Sequence, residues 1–151
     1  GDEPFILPES IDAVTKALLG STISGLAATN GYGVIHSEEE VNDPGAVKVI
    51  FSTSSLALAY SRLPIPLAFR KGASHYRQLG LYAFHKDALE FFAATKQGPI
   101  EESESVEMYR FIEHDKPVLM VEVEESGVAV DTPADLYKAR QIYDKMNAPK
   151  V

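Results

Sequence analysis

Apolar residues recur along the chain with two different periods. In residues 10–19, Ile11, Val14 and Leu18 are spaced to share one face of a helix, with Ser10 in front as a cap and Gly20 behind as a stop. The short apolar run "GLAATN" predicts a buried strand. In "HSEEEVND", Ser37 and Glu40 have the spacing of a capping box for one helical turn, and "DPG" then marks a turn. "AVKVIFS" and "LALAYSR" alternate as strands do, separated by the polar "TSS". "LPIPLAFRKGAS" predicts an extended loop, because Pro64 and Pro66 each lack a backbone donor. "YRQLGLYAF" predicts another strand. Residues 87–95 predict a helix with Leu89, Phe92 and Ala93 inward. A second helix is expected from near Pro99 to about Glu113, with Glu101, Glu102 and Glu104 towards the positive end of its dipole. "PVLMVEVEE" predicts a strand and "DTPADLYKARQIYDKM" a last helix, with Thr132 as cap, Pro133 in the first turn and Asp135 completing a capping box. Strands and helices alternate around a strand-rich middle, which predicts an α/β fold with a mixed sheet.

Composition narrows the function. A chain of 151 residues, 45% hydrophobic and 24% charged, suits one globular domain with a core. No apolar run approaches the roughly 18 residues of a membrane span, no stretch reads as a secretory signal, and there is no cysteine. A cytoplasmic protein is expected. The net charge of −8 argues against partners such as nucleic acid or an anionic membrane. Yet residues 44–86 contain no Asp or Glu, while carrying Lys48, Arg62, Arg70, Lys71, Arg77 and Lys86. This is either chance in a strand-rich segment or a site for an anionic phosphate or carboxylate ligand.

Asp2 in "GDEP" and Asp131 at the end of "GVAVD" both stand where a strand gives way to a turn. Ligands of open α/β sheets bind outside the carboxyl ends of strands, and two carboxylates meeting there could hold Mg²⁺. Each also has a plainer reading, Asp131 as a helix cap and Asp2 as a turn former. Arg62 in "YSRLPIP" can fork onto a carboxylate or phosphate, or lie on the surface. Arg77 and Gln78 point to opposite faces of one strand, so one should face the ligand side. Glu104, Glu107 and Arg110 are spaced to line one helix face, or form a solvated acidic face. No phosphate-binding glycine loop, His-Glu-x-x-His or nucleophile elbow is present, and His36, His75, His85 and His114 lack metal-ligand spacing.

Taken in order, "GDEPFILPESID", "VKVIF", "ALAYSRLPIP", "YRQLGLYAF", "GPIEESESVEMYRFIE" and "GVAVDTPADL" resemble the cytidylyltransferases that activate 3-deoxy-manno-octulosonate (Kdo). The likeness runs over nearly the whole chain. It implies a nucleotide-diphospho-sugar transferase-like fold, a mixed sheet flanked by helices, working as a cytoplasmic homodimer. It implies coupling of CTP to a Kdo-type sugar acid, giving CMP-sugar and pyrophosphate for lipopolysaccharide biosynthesis. It further implies that Asp2 and Asp131 hold the catalytic Mg²⁺ and that Arg62 is catalytic and contacts the sugar acid. Pro4, Arg77, Gln78, Tyr82, Glu104, Glu107 and Met108 are the remaining implied substrate contacts.

The chain departs from the family pattern at sugar-facing positions. The usual Tyr-Arg-His-Ile-Gly has Gln78 in place of His, and the usual Leu-Glu-Gln-Leu-Arg has Met108 in place of Gln. A changed sugar is expected, with 8-amino-Kdo the alternative, its amino group near Glu104 or Glu107. The family also carries a long stretch before "GDEP". The resemblance therefore implies that residues 1–151 are the C-terminal two-thirds of such a protein, a single partial domain without the N-terminal nucleotide-binding part. On its own it is expected to be inactive, the alternative being a fragment that only binds the sugar acid or dimerises. An exposed sheet edge or apolar face is expected to favour oligomerisation.

Overall fold

The computed structural model describes residues 4–67, 69, 72–124, 130 and 132–147. Its elements are α1 (Pro8–Gly20), β1 (Ala28–Val34), α2 (Glu38–Asn42), β2 (Lys48–Phe51), β3 (Ala57–Ser61), β4 (Tyr76–Phe84), α3 (Lys86–Ala94), α4 (Pro99–Glu104), α5 (Tyr109–Ile112), β5 (Val118–Glu122) and α6 (Pro133–Met146). Five strands form one sheet in the order β3-β2-β4-β1-β5. The β1–β5 pair is parallel, while β1–β4, β2–β4 and β2–β3 are antiparallel, so the mixed sheet is as expected.

The sheet has a different apolar cluster on each side. Val14 of α1 packs with Leu79, Leu81 and Val123. On the other side Val49, Tyr60, Val118 and Met120 meet Ala88 of α3 and Tyr109 and Phe111 of α5. The sheet curls until Leu56 bridges Leu119 of β5, and the Met120 N–H donates to Ser55 O at 2.7 Å. The edge strand β3 is covered from outside. The Tyr109 hydroxyl accepts from the Tyr60 N–H at 2.9 Å and donates to the Tyr60 carbonyl, occupying main-chain groups that an edge leaves open. Among the described residues no helix is long and apolar enough to cross a membrane.

Several local expectations change. Helix α1 starts at Pro8, whose fixed φ suits a first turn, so Ser10 lies inside it rather than capping it. Ser10 is buried, and its hydroxyl donates to Glu124 O at 3.3 Å. Ile11 is exposed, leaving Val14 and Leu18 as the buried apolar stripe. Strand β1 begins later than "GLAATN", because Gly25 has a φ of 70°. In α3 the inward residues are Ala88, Phe91 and Phe92, while Leu89 and Ala93 face out. Both phenylalanines pack on Phe111, and that aromatic contact sets the helix phase.

The single helix expected over 99–113 is two, broken at Ser105, whose φ is 53°. The chain turns back so that the Glu113 carboxylate accepts from the Ile100 and Glu101 N–H groups at 3.0 Å each, capping α4. A Cβ at Gly98 would lie 2.5 Å from Glu113 Oε2, so glycine makes room for that cap. Of the two capping boxes read from the sequence, that of Thr132 and Asp135 on α6 is complete, while on α2 only the Ser37 half is seen, its hydroxyl accepting from the Glu40 N–H at 3.1 Å as the Glu40 carboxylate pairs with Arg77.

Candidate functional site

Strand β4 is bulged where it carries Gln78 and Tyr82. Asn30 pairs with Tyr82 and Tyr32 with Gln78, so residues 79–81 face Gly31 alone. Bulges re-aim side chains and recur beside active sites. Here the Gln78 Nε2 donates to the Tyr82 hydroxyl at 2.5 Å, while the Gln78 Oε1 is buried and finds no hydrogen-bond partner among the described residues. A buried acceptor left this way costs about 1–3 kcal/mol, which a ligand donor would recover. Arg77 turns the other way, its Nη1 lying 3.3 Å from Glu40 Oε1 on α2. Of the neighbouring pair, Gln78 is thus the one beside Tyr82.

The end of β3 is a polar knot. Lys48 is fully buried, and its ammonium donates to the Asp43 and Arg62 carbonyls at 2.7 Å each. Burial pushes its pKa below the ordinary lysine value, against the pull of the Asp43 charge. The Arg62 Nε donates to Glu104 O at 2.8 Å, Nη1 to Pro44 O at 2.8 Å and Nη2 to Ser105 O at 3.4 Å. The Glu104 carboxylate accepts from the Arg62 N–H at 3.0 Å and the Ser61 hydroxyl at 3.3 Å. Arg62 and Glu104 therefore meet, and in this structure they hold each other and the entry to the "LPIP" loop.

The expected common face of Glu104, Glu107 and Arg110 does not form. The chain breaks between Glu104 and Arg110, and Arg110 turns to Glu101. Arg110 Nε and Nη2 grip the Glu101 carboxylate from both sides, Nη1 donates to Phe92 O, and the guanidinium stacks 3.8 Å from the Phe92 ring centroid. The guanidinium holds the Glu101 carboxyl below the usual range despite a burial that leaves only 1% exposed. Glu107 is exposed and lines a pocket of about 390 Å³ with Gln97, Glu102 and Ser105. Met108 is buried in the larger apolar cluster, as core packing rather than open pocket wall.

Asp2 and Asp131, with Arg70 and Lys71, lie outside the described residues. Pro4 and Phe5 from one segment and Val130 from another line an open cavity of about 630 Å³, whose other wall is Leu136, Ala139, Arg140, Tyr143 and Asp144 of α6. Among the described residues no group of His, Asp and Glu is arranged to hold a metal ion. Sequence reasoning missed Asn30, Tyr60, Tyr109 and Glu101, which are buried polar groups. For Asn30 the sequence offers a polar pair, Thr29 and Asn30, within a run that predicts a buried strand, whereas Glu101 is one of several acidic residues in "PIEESE" and nothing local sets it apart.

A cytidylyltransferase family model matches residues 1–122. The chain is similar to the 3-deoxy-manno-octulosonate cytidylyltransferase of Wolinella succinogenes, 38% identical over 151 aligned residues that cover 95% of this chain and 61% of that protein. The enzyme of the same name from Neisseria gonorrhoeae is 33% identical over 154 aligned residues, covering 95% of this chain and 60% of that protein. A solved structure of CMP:2-keto-3-deoxy-manno-octonic acid synthetase complexed with CTP superposes with a TM-score of 0.89 at 29% identity, over 96% of this chain and 59% of that one. The chain spans about three-fifths of the length of the curated relatives it matches. With the family match running through the "GDEP", "SRLPIP" and "YRQLG" blocks, the chain belongs to the cytidylyltransferase family.

Proposed function

We propose that this chain forms the sugar-acid and metal side of a cytidylyltransferase that joins CTP to a Kdo-type sugar acid for lipopolysaccharide biosynthesis. The reaction forms a bond between the anomeric oxygen of the sugar and the α-phosphorus of CTP, and breaks the bond from that phosphorus to pyrophosphate. The observation that supports the reading is the cavity that Pro4 and Val130 line together. Two carboxylates there suit Mg²⁺, which takes the rest of its shell from water and phosphate. When bound, the ion supplies positive charge for the phosphate oxygens and acidifies a nearby hydroxyl.

The protein groups then have separate tasks. Gln78 and Tyr82 hydrogen-bond the sugar, Arg77 adds positive charge from the neighbouring strand position, and Pro4 shapes the turn that carries Asp2. Arg62 acts with the sugar carboxylate from the rim of the β3 knot, and its three main-chain contacts keep it in place. A reaction that consumes CTP belongs in the cytoplasm. Leu63, Leu67 and Phe69, exposed at 72%, 82% and 90% in the loop after β3, give a second copy an apolar surface for a homodimer.

Within this reaction the preferred sugar is 8-amino-Kdo. The orphaned Gln78 Oε1 calls for a ligand donor, and an ammonium has only donors to offer. Of the two glutamates considered, Glu104 is occupied by Ser61 and Arg62, whereas Glu107 is exposed and faces a pocket that can take a cationic group. Met108 supports that region from within the core. Protein expressed from its whole reading frame, mixed with CTP, Mg²⁺ and either sugar, is expected to release pyrophosphate faster with 8-amino-Kdo, and residues 1–151 alone to release none. Clear preference for plain Kdo overturns the sugar assignment, and no turnover of either sugar overturns the function.

A further inference from the structure

We infer that Asn30, a residue with no route to the solvent, is a positioning residue for the sugar pocket: its amide holds the β4 bulge that brings Gln78 and Tyr82 together. The inference rests on the reading of Gln78 and Tyr82 as sugar contacts.

On a regular strand, residues four apart are separated by roughly 13 Å, too far for Gln and Tyr tips to meet directly above the sheet. The bulge halves that distance in register, because Gln78 and Tyr82 pair with Tyr32 and Asn30, which are only two residues apart on β1. The carbonyls of Leu79 and Leu81 lie within this bulge. Asn30 Nδ2 donates to both, at 2.9 and 3.1 Å. Its orientation is fixed by chemistry, since carbonyls can only accept. The amide oxygen is left to accept from the Tyr60 hydroxyl at 3.2 Å. Tyr60 is in turn gripped at its main chain by Tyr109. A line of hydrogen bonds thus runs from α5 through the edge strand to the bulge. The side chain at position 30 must be short, with donors and an acceptor on one planar group. Leucine would orphan two carbonyls, and aspartate would set its charge against them. Opposite the bulge, a Cβ at Gly31 would come within 3.2 Å of Val123 Cγ2, so a larger residue there would crowd Val123.

The test uses the protein from its whole reading frame and measures KM for the sugar acid, KM for CTP and kcat separately. Asn30→Asp is expected to raise the sugar KM about tenfold with the CTP KM within about twofold. Placed on a Gln78→Ala background, Asn30→Asp is expected to add less than about twofold, because the side chain it positions is gone. If Asn30→Asp fails to fold, Tyr60→Phe, which removes only the hydroxyl orienting the amide, is expected to show the same selective pattern at about threefold. A rise in both KM values together, or an undiminished effect on the Gln78→Ala background, overturns the inference and leaves Asn30 a residue of general stability. An unchanged sugar KM in Gln78→Ala alone overturns the pocket assignment beneath it.

Discussion

Helices α1 and α6 differ by a single residue in length, 13 against 14, yet are held in opposite ways. Helix α1 has no side-chain cap and is fixed by burial, with Ser10, Val14 and Leu18 against the sheet. Helix α6 has a complete capping box and buries only Ala139, leaving Leu136, Tyr137, Tyr143 and Met146 exposed. Most helical stability in proteins comes from packing an apolar face, so α6 depends on local signals to an unusual degree. The two sides of the proposed site inherit this difference. The sugar side, around Gln78 and Arg62, stands on a sheet braced by buried polar groups. The cavity between Pro4 and Val130 is lined by α6, a helix that buries little.

Substitutions can break the comparison. Arg110→Met leaves Glu101 buried and unpaired, and is expected to cost about 3–5 kcal/mol, read as a fall in the denaturation midpoint. The Glu101 pKa lies lower in the folded chain than in the unfolded one, so its contribution is present at neutral pH and is lost as pH falls through the folded value. Arg110→Met should flatten that acid limb. Next in size, Leu18→Ala in α1 is expected to cost about 2–4 kcal/mol, whereas Leu136→Ala in α6 should stay within about 0.5 kcal/mol. Equal losses at the two positions would mean that α6 packs as tightly as α1. Thr132→Ala should cost about 1 kcal/mol, seen as fraying of α6 in hydrogen exchange before the sheet opens. The smallest effect concerns Lys48. Because burial lowers its pKa in the fold, the unfolded chain holds more protons in the alkaline window below the ordinary lysine value, and stability should rise with pH there. In Lys48→Met that rise should vanish from midpoints measured across the window.

The parts of this fold that were legible in the sequence are those governed by neighbours along the chain. The capping box at Thr132 and Asp135, the Ser37 cap and the strand periods needed nothing distant. What was not legible depends on residues that meet only after folding. The break at Ser105 follows from Glu113 reaching back to Ile100, and the phase of α3 follows from Phe111. The bulge at residues 79–81 leaves the period of two on either side looking intact. Around the candidate site, Gln78, Tyr82, Arg62 and Glu104 were all named from their motifs, but not that Gln78 meets Tyr82 or that Arg62 meets Glu104. The Arg62 guanidinium meets carbonyls from two distant turns, and the helical spacing of Glu107 and Arg110 lost its meaning once the helix broke.

Asp2 and Asp131 are proposed to act together on one ion beside the sugar pocket. Pyrophosphate release by Asp2→Asn, Asp131→Asn and the double variant, in protein from the whole reading frame with saturating Mg²⁺, tests it most directly. Each single variant is expected to lose a factor of about 100 or more in kcat, and the double variant to fall no further than the weaker single, because groups that work as a unit are not additive. Near wild-type turnover in either single variant, or losses that multiply in the double, would contradict the account.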